Sequence, residues 1–246
     1  MAPMTYCIGM NLEAGLVFAS DSRTNAGVDN IARFEKMRVF AQEGSRVIVT
    51  LSAGNLSVTQ NALSLLELRV RNDPAALGLW NARSLFEVAG LLGEALREVR
   101  ARDEAYLRAQ NIDASASFIV GGQIAGEAPR LFLVYSEGNF IESSNDTPYV
   151  QIGEIKYGKP ILDRIITRRS SLSDAVKCTL VSFDSTMRSN ISVGAPIDLL
   201  VYGADSLRVG LKRRLDEDDS YLVAVRSGWE AGLARAFDQL PGNTWL

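Results

Sequence analysis

The twenty residues 5–24, TYCIGMNLEAGLVFASDSRT, decide how the rest of the chain is read. Two strand-length runs, TYCIGMN (5–11) and GLVFASD (15–21), stand on either side of the turn-like LEAG (12–15). So short a connection cannot join parallel strands, and the pair reads as an antiparallel hairpin. The theme recurs in KMRVFAQEGSRVIVTLSAG (36–54), where QEGS turns the chain between Val39 and Val47. Two hairpins ahead of residue 55 call for antiparallel sheet.

Downstream the period changes. In NLSVTQNALSLLELRVRN (55–72) the apolar positions Leu56, Ala62, Leu63, Leu65, Leu66 and Val70 fall on a helical stripe. A longer helix is expected over 84–110, with Ser84 and Glu87 spaced as a capping box. Between them NDPAALGLWNAR, with Pro74, reads as a loop. Strand candidates follow in ASFIVGGQI, RLFLVYSEG, NFIESS and YVQIGE, then helices in KPILDRIITRR and LSDAVKCTLVSFDSTMRS. The strand candidates IDLLVYGAD and SLRVGLKRRL precede a last helix, YLVAVRSGWEAGLARAFDQL. Strands, two helices, strands, two helices, strands, helix is an α+β order. It suits two antiparallel sheets packed face to face with helices outside and argues against a doubly wound parallel fold. No linker or shift of composition divides the chain, so one domain is expected.

Composition narrows the chemistry. The chain has 246 residues, 47% of them hydrophobic and 22% charged, ordinary values for a globular protein. A net charge of -3 gives no electrostatic reason to expect nucleic acid or an anionic membrane as partner. The start lacks the basic and apolar segments of a secretory signal, no run of 18 apolar residues occurs, and a cytoplasmic protein is expected. Cys7 and Cys178 sit in apolar surroundings and read as small buried hydrophobes. Histidine is absent altogether. That excludes Ser-His-Asp and Cys-His triads, HExxH zinc sites and His-based metal centres. A hydrolase built from this chain must take its base from Lys, a carboxylate or an α-amine.

VGGQIAGEAP lacks the spacing of a phosphate loop, and the charged run 212–219 reads as a solvated turn. The amino-terminal cluster carries more. A terminal threonine holds a hydroxyl nucleophile and an α-amine that titrates near ~7.7–8.0 and accepts the hydroxyl proton without histidine. An ammonium nearby, from Lys36, would keep that amine neutral. Asp21, ending the strand paired with that of Thr5, would hold the lysine. Gly54, at a strand-to-helix junction, would offer an uncrowded backbone N–H to an oxyanion. Taken singly, each is an ordinary turn, surface or hinge residue.

TYCIGMNLEAGLVFASDSRT, KMRVF and VTLSAG together resemble the amino-terminal half of a proteasome β-type subunit, in the N-terminal-nucleophile hydrolase superfamily. YVQIGEIKYGKPILDR and MRSNISVGAPIDLLVY extend the likeness over most of the chain, toward the bacterial Anbu (ancestral β-subunit) branch. The resemblance implies a four-layer αββα sandwich over residues 5–246 and a threonine endopeptidase. Thr5 would be the nucleophile, Asp21 the acid, Lys36 the lysine and Gly54 the oxyanion glycine. It also implies a homo-oligomer in an open helical ring, acting on peptide or unfolded protein without a cofactor. The sequence names no partner ATPase. The chain departs from the family in three places. The Thr-to-Lys spacing is one residue shorter, Glu154 stands where the family has Ser, and Ser189 replaces an Asp three residues before the retained Ser192. Glu154 is therefore expected to supply the carboxylate that contacts the α-amine, with Ser189 as its hydrogen-bond neighbour. Residues 1–4 precede the nucleophile and must be removed, or translation must start at Met4. A small-amide hydrolase of the same superfamily and a catalytically silent assembly protein are the alternatives.

Overall fold

Strand β1 (Tyr6–Leu12) and strand β2 (Gly15–Asp21) form the expected hairpin, paired from Cys7 with Ser20 to Leu12 with Gly15. The computed structural model describes residues 5–25 and 31–245. Residues 1–4, read as a removable extension, lie outside them. Every residue of β1 and β2 is buried, so these strands are covered on both faces.

The chain continues through a short hairpin, β3 (Arg23–Asn25) with β4 (Ile31–Arg33). Then come β5 (Met37–Gln42), β6 (Arg46–Gly54), helix α1 (Leu56–Asn72) and helix α2 (Leu85–Ala109). Strands β7 (Ala116–Ile124), β8 (Arg130–Val134), β9 (Phe140–Glu142) and β10 (Tyr149–Gly153) follow. Helices α3 (Lys159–Ile165) and α4 (Leu172–Ser189), strands β11 (Ile197–Gly203) and β12 (Leu211–Leu215), and helix α5 (Ser220–Asp238) complete the order.

Two antiparallel five-stranded sheets result, one ordered β10–β1–β2–β11–β12 and the other β5–β6–β7–β8–β9. Side-chain alternation assigns the layers. Tyr6, Ile8 and Met10 join Cys178, Leu180 and Phe183 in a core beneath α4. Cys7, between them in sequence, faces the other way and packs with Met37, Val49, Leu51 and Ile119 of the second sheet. Leu92, Ala95 and Leu96 of α2 cover that sheet's outer face over Phe118, Val120 and Phe132. The molecule is the four-layer αββα sandwich expected.

Three details differ from the sequence reading. The β3–β4 hairpin was not anticipated, because its three-residue strands carry no period. The strand expected from Ser206 begins only at Leu211; Asp205 and Leu207 hold positive φ angles of 61° and 45° and make a turn instead. Helix α3 ends at Ile165, since Ile166 is extended and a turn closes over Thr167–Ser170. Among the described residues no helix is long and apolar enough to cross a membrane.

Candidate active site

Six of the seven residues singled out from the sequence lie on segments that converge on one end of the sandwich. β1 begins there and β2 and β10 end there, because the three are antiparallel neighbours. β11 starts beside them, with Ile197 opposite Asp21. On the second sheet β5 begins and β6 ends at this same edge, with Met37 opposite Leu51.

Thr5 is buried, with 5% of its surface exposed. Its carbonyl accepts the Glu154 N–H at 2.6 Å, which extends the β1–β10 ladder by one rung. Cys7 faces the second sheet, so alternation turns Thr5 toward that sheet as well. The rung depends on Gly153, whose φ of 86° suits glycine and whose Cβ, if present, would overlap the Thr5 carbonyl oxygen.

Asp21 is fully buried, and its Oδ1 accepts two donors, the Tyr6 N–H at 3.0 Å and the Lys36 ammonium at 2.7 Å. Lys36, 6% exposed, also donates to the Arg23 carbonyl at 2.6 Å. One carboxylate thus ties the lysine of the second sheet to the amide that directly follows Thr5. Burial pushes the Asp21 carboxyl above the usual carboxylate range, and the Lys36 charge is the strongest influence pulling it back.

Gly54 closes β6 with φ 100°, and a Cβ there would run into the Ser115 carbonyl oxygen. Asn55 N–H donates to Ser115 on β7's side, and Ser52 N–H donates to Lys36 O on β5's side. Alternation directs the Gly54 N–H toward the β5 side, beyond Leu51, where the β5 ladder ends at Met37. Asn55 then caps α1, its side chain accepting from Ser57 N–H at 3.0 Å and Val58 N–H at 3.3 Å. The positive end of that helix lies beside the glycine.

The second carboxylate is arranged differently from the sequence reading. Ser189 is the last residue of α4 and is exposed. The hydrogen bond to Glu154 comes instead from Asn190, whose Nδ2 donates to Glu154 Oε2 at 3.0 Å. Ser192 is buried, and its Oγ donates to Asn190 Oδ1 at 2.6 Å. The sequence reading points to Ser189 because it stands at the family's Asp position, one residue before Asn190. Asn190 follows the helix with extended backbone angles, φ -144° and ψ 105°, and its side chain is buried against Glu154 and Ser192.

A cleft of about 270 Å³ opens beside this end. Phe34, Glu35 and Arg38, which flank Lys36, form one wall, and Ser52 and Leu56, which flank Gly54, form the other. The sequence held that signal in the neighbours of the two site residues. The arrangement brings together a buried threonine, a cation held by a buried carboxylate, and a backbone donor beside a cleft.

The whole chain is similar to proteins of known structure. Anbu (ancestral beta-subunit) from Yersinia bercovieri is 49% identical over 98% of this chain and 100% of its own, with a TM-score of 0.91. A helical assembly of the Anbu complex from Pseudomonas aeruginosa is built from a chain 51% identical over 98% of both, with a TM-score of 0.92. Anbu from Hyphomicrobium sp. strain MC1 is 46% identical over 97% of this chain and 99% of its own, with a TM-score of 0.89. No family model and no curated protein matches the chain.

Proposed function

The chain belongs to the Anbu (ancestral beta-subunit) family, and on that premise we propose that it is a threonine-type endopeptidase of the N-terminal-nucleophile class. The observation that carries the reading is the buried Asp21–Lys36 pair, which Asp21 fastens to the amide directly after Thr5. A buried cation held there has a chemical use: it disfavours a second positive charge on a terminal amine nearby.

In the proposed reaction water first hydrolyses the Met4–Thr5 peptide bond, which frees the Thr5 α-amine and leaves Met4 as a carboxylate. That amine takes the hydroxyl proton as Thr5 Oγ forms a bond to the substrate carbonyl carbon. The developing oxyanion is met by the Gly54 N–H. The protonated amine then gives its proton to the departing amine, and an ester on Thr5 remains. Water, activated by the same amine, hydrolyses the ester and restores the hydroxyl. Asp21 and Lys36 do not touch the reacting atoms; they keep the amine neutral and hold the start of β1. No cofactor enters these steps.

Peptides and unfolded protein segments are the proposed substrates, with one side chain seated in the cleft beside Lys36 and Gly54. The protein is proposed to act in the cytoplasm as a homo-oligomer, a reading supported by the helical assembly of its Pseudomonas aeruginosa relative. Hydrolysis of an internally quenched peptide tests the proposal. In the chain that begins at Thr5, the rate is expected to fall at least about a thousandfold on Thr5→Ala, as it does when other hydrolases lose their nucleophile. A Thr5→Ala rate equal to that of the parent chain would overturn the reading. Cleavage of small amides alone would replace the peptidase with an amidohydrolase of the same class.

A further inference from the structure

We propose that Asn190 is a positioning residue, which sets where the Glu154 carboxylate stands relative to Thr5. The inference rests on the reading of Thr5 as nucleophile. Its starting point is the orientation of one side-chain amide. The Ser192 N–H, which can only donate, lies 3.1 Å from Asn190 Oδ1, and the Ser192 hydroxyl donates to the same oxygen at 2.6 Å. The oxygen of the amide therefore faces Ser192, and the nitrogen faces Glu154, donating to Oε2 at 3.0 Å. That bond fixes one oxygen of the Glu154 carboxylate.

The backbone of Glu154 is fixed independently, by its N–H on the Thr5 carbonyl at 2.6 Å. Asn190 thus fixes the side chain of a residue whose main chain already holds the nucleophile. The segment that carries Asn190 is itself pinned. Val193 N–H returns to Asn190 O at 3.1 Å, and the Arg23 guanidinium donates to Ile191 O at 2.7 Å. Ser22 gives both its N–H and its hydroxyl to Pro196 O, at 3.1 and 2.9 Å. Gly194 lets the Arg23 side chain pass, since a Cβ there would come within 2.5 Å of the guanidinium carbon. These bonds fasten the segment to the end of β2 that carries Asp21, so one rigid unit holds both carboxylates of the site.

A purely structural part for Asn190 would be the turn it makes by accepting the Ser192 N–H. Aspartate makes that turn as well as asparagine does. Asn190→Asp therefore separates the two roles: it keeps the turn, loses the donor and sets a carboxylate against Glu154. The experiment measures the inactivation of the chain beginning at Thr5 by a peptidyl epoxyketone, with kinact and KI resolved. Asn190→Asp is expected to lower kinact about 10- to 100-fold, the scale of a misplaced group in an organised site, with KI and the thermal midpoint unchanged. Wild-type kinact in a folded Asn190→Asp chain would overturn the proposal. If that chain fails to fold, Glu154→Gln/Asn190→Asp, which restores an amide–carboxylate pair with reversed polarity, carries the test. It is expected to fold with a depressed kinact, and a wild-type kinact there would equally overturn the proposal. A parent chain unreactive toward the epoxyketone contradicts the reading of Thr5 itself and removes this inference with it.

Discussion

Asp21 shares one oxygen between the Tyr6 amide and the Lys36 ammonium, and it has no water-exposed surface on which to spread its charge. A buried carboxylate in that position is tolerable only while its cation is present, and removing one partner of such a pair costs about 3–5 kcal/mol. Lys36→Met should therefore lower the unfolding free energy by about that amount, read from urea transitions. Burial already raises the Asp21 carboxyl, and without the lysine it is raised further. A folded-state pKa above the unfolded one means that the native chain holds the extra proton. The deficit should then be full at alkaline pH and shrink as pH falls through the raised folded value toward the unfolded one. A Lys36→Met deficit that does not vary with pH would contradict a carboxylate left unpaired. The places of Thr5, Asp21, Lys36 and Gly54 at strand ends were legible in the sequence from their neighbours, whereas the roles expected of them came from the family likeness. Asn190 was not, because the family's pattern pointed to the neighbouring Ser189, and only the end of α4 decides which of the two side chains is buried.

Elements were read most securely where a period runs long. Helix α2 begins where Ser84 and Glu87 placed it: the Ser84 hydroxyl oxygen accepts the Glu87 N–H at 3.1 Å. The return bond differs in a detail, since Glu87 Oε2 accepts from Arg83 N–H at 2.7 Å rather than from the capping residue itself. Ser84→Ala should cost about 1 kcal/mol, measured in the same urea transitions, with the rate of peptide hydrolysis unaltered. A loss near zero would show that the Glu87 bond to Arg83 N–H and the Glu127 bond to Leu85 N–H suffice to hold the start of the helix. The β3–β4 hairpin and the shortened β12 escaped the sequence reading for a common reason. A strand of three residues has too few positions to show alternation, and left-handed turn residues such as Asp205 and Leu207 are not glycine. Both cases are decided by tertiary context and not by local propensity.

At the scale of the molecule, the site exists because pairing brings distant segments to one edge. Residues from Thr5 to Ser192 meet there only when β10 lies against β1 and β11 against β2, pairings that no local signal announces. Antiparallel sheets, outer helices and the αββα layering follow from the order of runs, whereas the strand order within each sheet rests on long-range contacts. The family likeness supplied what periodicity could not, the expectation that these ends converge. Once Thr5 is the first residue, this edge is proposed to become an active site. Intact mass of the chain, before and after treatment with a peptidyl epoxyketone, tests it most directly. A chain lacking residues 1–4 should gain the mass of one inhibitor, and Thr5→Ala should gain none. A chain that begins at Thr5 and gains nothing, or a Thr5→Ala chain that gains the same mass, would contradict it.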